Sequence, residues 1–225
     1  ERYFGDIAAG PEVDAVEEWV PIKAGNTSET QYDEVPAVLA NRAWVVPPRH
    51  TRERALLDLA AAIIGNGRNS RLYVDLVYQK QQAASVSVAV TPFQLASVFD
   101  LSVNLNPGQA PAVATAAIDR IVAEFIANGP TEEELARVVA GINGATVRGL
   151  EQVGGFSGKA AQLAEGLLYA GDPLFINTYL QWINSATTQE VREVAATWLS
   201  RGWHQVNVVP NRSFTNMTSG VDRSA

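Results

Sequence analysis

The stretch from Asn69 to Val90, NSRLYVDLVYQKQQAASVSVAV, changes period half-way along. Leu72, Leu76 and Val77 fall at helical spacing. Further on, Ala84, Val86, Val88 and Val90 alternate with Ala83, Ser85, Ser87 and Ala89, the two-residue period of a strand. The stretch therefore predicts a short helix running straight into a strand. Downstream, Thr91 to Leu95 is a Pro-containing connection, and the next run sets Phe99, Leu101, Val103 and Leu105 against Val98, Asp100, Ser102 and Asn104. Two neighbouring strands with a short link make an antiparallel pair, closed by Asn106-Pro107-Gly108.

Upstream, Glu29 to Val46 holds two extended runs about Val35-Pro36. The second, Val38 to Val46, has apolar residues on both faces, the pattern of a strand covered on two sides. Pro47-Pro48 stops it. Thr51 is placed to cap a helix through Leu56, Leu59, Ala60, Ile63 and Ile64, which Gly65-Asn66-Gly67 ends. The second half is helical. Ile118, Ile121, Val122, Phe125 and Ile126 form a stripe ending at Gly129-Pro130, and Thr131 with Glu134 is a capping-box pattern before Leu135, Val138, Val139 and Ile142. After Gly154, Gly155 and Gly158 the stripe resumes at Ala160, Leu163, Ala164 and Leu167. Asp172 with Pro173 reads as the start of a helix using Phe175, Tyr179, Trp182 and Ile183. Thr187 with Glu190 opens a last helix through Val191, Val194, Ala195, Trp198 and Leu199. The terminal strand, Trp203 to Val209, is expected to return to the sheet because Val206 and Val208 need a partner surface. The order predicts an α+β fold, a mostly antiparallel sheet with helices packed on one face.

At 225 residues, 47% of them hydrophobic, the chain has ample material for a core, and 17 basic against 24 acidic residues leave a net charge of −7. That balance argues against nucleic acid as a partner. No apolar run approaches the roughly 20 residues that span a bilayer, so no membrane partner is expected. The absence of cysteine excludes disulfides and thiolate chemistry. Glu1 at the start and a lone Met217 read as a piece of a longer polypeptide.

Ser70, Arg71, Leu72, Tyr73, Leu76, Ser85 and Val86, with the leader Arg2-Tyr3-Phe4-Gly5-Asp6-Ile7, resemble the second domain of the pitrilysin/insulinase class of zinc metallopeptidases. The resemblance implies an α/β-roll of the pitrilysin and mitochondrial-processing-peptidase type. It also implies the domain limits: a leader over residues 1–28, the metallopeptidase-like domain over 29–210, and a linker to a following half over 211–225, where Val221-Asp222-Arg223-Ser224 resembles the junction between fused halves.

A zinc peptidase of this class needs two His and a Glu from an inverted His-x-x-Glu-His motif. Here His50 and His204 are the only histidines, 154 positions apart, with no such motif, so no metal ligand and no catalytic residue is assigned. Both read as structural or solvent-facing. The resemblance further implies that metal-free domains reach substrate through an Arg on the short helix and a Tyr seven positions later. Those positions are Val77 and Ala84, so no substrate-binding residue is assigned either. Neither side chain can bond a carbonyl or an oxyanion. Tyr78 and Lys80, one or more positions off, are not promoted to the role. Gly154 to Lys159 is one residue short of a phosphate-binding loop and has Ala160 where magnesium needs a hydroxyl; by resemblance the segment is a candidate interdomain hinge or substrate-gating segment. Gly65-x-Gly67 follows a helix rather than a strand, and no Gly-x-Ser-x-Gly elbow is present.

The expected function is therefore a catalytically silent wall of a peptide-hydrolysing chamber. Zinc is held by a preceding domain, and a second half or partner subunit completes the enclosure around a peptide substrate. This chain alone is expected to be inactive and to bind no cofactor, and a periplasmic or otherwise exported parent is implied. The alternative is a structural module of a relative that has lost proteolysis, like the core subunits of the respiratory bc complex.

Overall fold

The computed structural model describes residues 5, 8, 10–11, 19–151, 153–155 and 158–211. Most of the leader, the 212–225 tail with its junction motif, and Phe156 and Ser157 of the glycine-rich segment lie outside the described residues. In chain order come β1 (Thr27–Asp33), β2 (Leu39–Val46), α1 (Arg52–Gly65), a π-helix (Tyr73–Gln79), β3 (Ala83–Thr91) and β4 (Ser97–Leu105). The helices α2 (Pro111–Asn128), α3 (Glu132–Glu151), α4 (Lys159–Ala170), α5 (Phe175–Asn184) and α6 (Thr188–Leu199) follow, then β5 (His204–Pro210).

The strands form one sheet in the order β1-β5-β2-β4-β3. Three of its pairings are antiparallel and the β1–β5 pairing is parallel, so the terminal strand does return to the first strands, entering between them. The expected α+β architecture holds. One face of the sheet is buried under helices: Ala40, Trp44, Val46, Phe99, Leu101, Val103 and Val88 are each at most 1% exposed. Against them lies α1, capped as expected by the Thr51 hydroxyl accepting from the Arg54 amide, with Leu57, Leu59, Ile63 and Ile64 buried. Each such side chain contributes about 2 kcal/mol of transfer free energy. Gly65 is the point of closest approach, since a Cβ there would stand 2.2 Å from Val88 Cγ2. The glycine is a packing requirement rather than a turn residue; Gly67, at φ +89°, makes the turn. Both expected capping boxes form. Thr131 and Glu134 exchange bonds of 2.8 and 3.1 Å, and Thr187 and Glu190 do the same at the head of α6.

Several expectations are corrected. β2 is covered on one side only: Ala40, Arg42, Trp44 and Val46 are buried, whereas Leu39, Ala43 and Val45 are half-buried beside Val208, His204 and Val98 on the open face. In β5 Val209 packs against the core, but Val206 and Val208 do not face it. Its register sets Arg42 opposite Gln205 and Ala40 opposite Asn207, so the two polar residues go under the helices and Val206 and Val208 go to the open face. The polar pair survives burial by bonding. Arg42 donates Nε to Gln205 Oε1 at 2.8 Å and Nη1 to Asp119 Oδ1 at 2.6 Å, and Gln205 Nε2 donates to Thr115 Oγ1 and Asn207 Oδ1. The guanidinium lies 3.9 Å over the Trp203 ring.

The α4 stripe is also corrected. Leu163 and Leu167 are 43% and 58% exposed, and only Gly166 of that helix is buried, because α4 packs at the edge of the helical layer rather than on the sheet. Asp172 does not begin α5. Its Oδ1 accepts from the Leu174 amide in a turn, and the helix starts at Phe175.

Candidate functional site

Ser70 anchors the deciding stretch, its hydroxyl donating to Gly67 O at 2.7 Å. The short helix that follows is a π-helix: the Lys80 amide reaches back to Asp75 O at 3.0 Å and the Gln82 amide to Leu76 O at 2.8 Å. Leu72 and Leu76 are fully buried. Gln81 then turns the chain at φ +54°, its carbonyl held by Asn106 Nδ2 at 2.7 Å. A bulge lies between Ala83 and Ser85, so the strict alternation expected for β3 is broken at its start. Ala83 joins the buried face and Ala84 is the extra, exposed residue.

Arg71 sits at the head of this device, and its role was not legible in the sequence. Its Nε and Nη2 make a bidentate pair with Glu134 at 2.9 and 2.8 Å, Nη2 also donates to Gly129 O at 2.8 Å, and the guanidinium lies 5.1 Å from the Phe125 ring centre. One side chain thus ties the π-helix to the end of α2 and the start of α3. The bond from Arg71, followed by those around Thr131, holds the Glu134 carboxyl below its usual range despite partial burial.

Val77, at the expected arginine position, is half-buried and packed against the core; Ala84, at the expected tyrosine position, is exposed. Tyr78 is 74% exposed, and the Lys80 ammonium is held by Asp75 at 3.0 Å. Beyond Ala84 the open face of the sheet begins. Asn41 Nδ2 donates to Ser102 Oγ at 2.8 Å, Ser102 Oγ to Asp100 Oδ2 at 3.4 Å, and Asn104 Nδ2 to Ser85 Oγ at 3.0 Å, a polar ladder across three strands. His204 continues this face on β5, sharing a 2.8 Å hydrogen bond with Thr27 Oγ1. His50 is elsewhere, between the rings of Tyr169 and Phe175 beside α4 and α5. Among the described residues no group of three or more His, Asp or Glu could hold a metal ion, and no helix is long and apolar enough to cross a membrane.

A helix-backed, mostly antiparallel sheet with one face open, entered by a short helix and a bulged strand, defines an α/β-roll domain of the metallopeptidase type. The sequence matches the family described as the peptidase M16 inactive domain over residues 1–142, and the chain belongs to that family. An uncharacterized zinc protease from Streptomyces coelicolor is 28% identical over 155 residues, 68% of this chain and 32% of that protein. Among solved structures, a protease from Helicobacter pylori superposes with a TM-score of 0.76 at 19% identity, covering 84% of this chain and 46% of that one. A peptidase M16 inactive domain from Pseudomonas fluorescens gives 0.75 at 17%, covering 90% and 47%. The fold is shared as well with the periplasmic protease PqqL from Escherichia coli (0.66 at 18%, covering 84% and 21%) and with a chain of complex III from Candida albicans (0.69 at 15%, covering 81% and 45%). The chain spans about a third of the Streptomyces protein and under half of the first two structures.

Proposed function

We propose that this chain forms one wall of a proteolytic chamber in a zinc-dependent M16 metallopeptidase, with the zinc held by a domain outside it. The observation that carries the reading is the open sheet face. Beside Leu39, Val45, Val206 and Val208 it carries Asn41, Asp100, Ser102, Asn104 and Ser85, groups that can meet an extended peptide, but it adjoins Val77 and Ala84, which cannot stabilise developing charge. The domain's work is then enclosure and alignment. A preceding zinc-bearing domain and a second half or partner subunit supply the catalytic groups, the domain proper runs from 29 to 210 between a leader and a linker, and the parent is exported. Membership of the inactive-domain family, the Streptomyces zinc protease and the periplasmic neighbour support this reading.

Zinc content and peptide cleavage, measured in parallel for this chain and for its full parent, test it. Zinc and turnover in the parent alone are expected. Turnover by this chain that a His50 or His204 substitution abolishes would overturn the proposal. The fold shared with a complex III chain favours one second reading, a structural module without proteolysis. A parent with an intact His-x-x-Glu-His upstream excludes it.

A further inference from the structure

Arg49, His50, Arg52 and Arg54 put three guanidiniums and an imidazole within six residues of a chain whose net charge is −7. Arg49, His50 and Arg54 line one open cavity of 270 Å³, whose other walls come from α4 and α5. Its walls mix planar rings with charge, since Phe175, Ile176 and Tyr179 stand beside Gln162 and Glu165. The His50 ring stacks on Tyr169 at 5.9 Å and meets the edge of Phe175 at 5.2 Å, while Arg49 lies 5.0 Å over Tyr169 and Arg54 5.7 Å over Tyr179. This cluster is remote in kind from the chamber face: it lies among helices, where His204 and the polar ladder have no part.

The donor inventory of the cavity exceeds what its own carboxylates use. Each guanidinium offers five N–H groups. Arg49 Nη1 donates to Glu165 Oε2 at 2.5 Å and Arg54 Nη2 pairs with Asp58 Oδ2 at 3.0 Å. Arg54 Nε is shut off from solvent and has no hydrogen-bond partner among the described residues. That nitrogen is closed to a ligand as it is to water, so the groups that can meet one are the remaining N–H groups of Arg49 and Arg54, and the planar group that best complements a guanidinium is a carboxylate. A phosphate dianion would set two charges against Asp58 and Glu165 where a monocarboxylate sets one, and an apolar body on that monoanion meets Phe175 and Ile176 as well. The volume falls below the range of about 300–1,000 Å³ for drug-sized ligands and suits a group the size of one amino-acid residue.

We propose that this cavity binds a small apolar carboxylate, either a free acid or the last residue of a peptide, with its carboxylate on Arg49 and Arg54 and its side chain against Phe175 and Ile176. The proposal stands apart from the chamber reading, and neither result decides the other.

The test is calorimetric titration of the intact chain at neutral pH with three probes: N-acetyl-phenylalanine, its amide, and a tetraglycyl-phenylalanine peptide with a free C-terminus. Saturable binding of the acid is expected, weakened about ten-fold by conversion to the amide and by Arg49→Gln, and unchanged by Lys23→Gln. Peptide binding as tight as the acid assigns the site to chain termini; binding of the acid without the peptide assigns it to free acids. Arg54→Gln leaves Asp58 without its counter-charge and can unfold the chain. The decisive variant is therefore Arg49→Gln, backed by ligand-induced shifts of the Phe175 and Tyr169 ring resonances. Absence of saturation, equal binding of acid and amide, or an Arg49→Gln variant that binds like the wild type would overturn the proposal.

Discussion

Replacing Arg71 by Met tests whether the first residues of the deciding stretch are there for the fold. Met keeps an unbranched side chain of similar length, but it removes every donor to Glu134 and Gly129 O and the guanidinium over Phe125. The two side chains are 18% and 17% exposed, so the pair is neither a surface ion pair of negligible worth nor fully buried. Orphaning a carboxylate and a carbonyl costs about 1–3 kcal/mol each when water is excluded. With partial access to water the expected loss is about 2–3 kcal/mol in all. The loss has a pH signature. Glu134 is held below the usual 4.5 chiefly by the Arg71 bond, so its ionised form favours the folded state. That contribution is complete above the unfolded carboxylate pKa of about 4.3 and disappears as pH falls through the depressed folded value. Urea unfolding of wild type and Arg71→Met should therefore show a gap at neutral pH that narrows on acidification, and Glu134→Gln should narrow it at every pH. A loss under about 0.5 kcal/mol, or a gap that does not change with pH, would refute the clamp.

Three further outcomes follow from the packing. Gly202→Ala places a Cβ 2.5 to 2.8 Å from backbone atoms of Gly25 and Lys23, so a loss of at least about 2 kcal/mol is expected, with faster exchange of the Thr27 amide that bonds Trp203 O. Asp58, 14% exposed at the side chain and pushed up to about 6 by burial against the opposing Arg54 charge and Tyr179 hydrogen bond, should titrate near that value by carboxyl NMR. Because its folded pKa is raised, the protonated form favours the fold. Stability should then fall as pH rises from the unfolded value of 3.8 through about 6, by up to about 3 kcal/mol from this group. Ser at Leu163, Leu167 and Leu168 together should leave the unfolding free energy within about 0.5 kcal/mol of wild type, since all three are exposed.

Local signals carried far in this chain where the physics is local. Capping boxes at Thr131 and Thr187, the Thr51 cap and the alternation of β4 depend on residues within a turn or two of one another, and each forms as its spacing predicts. The resemblance carried by Ser70 to Val86 led to the right family. Tertiary structure decided what depends on partners distant in sequence. Gln205 and Asn207 are buried in place of Val206 and Val208 because Arg42, 163 positions before Gln205, awaits them under the sheet. The bulge that turns Ala84 outward is set by pairing with β4, and the exposure of Leu163 and Leu167 by where α4 docks. Periodicity reports that a face is apolar. Which surface meets that face is a contact between remote segments, and only the folded chain fixes it.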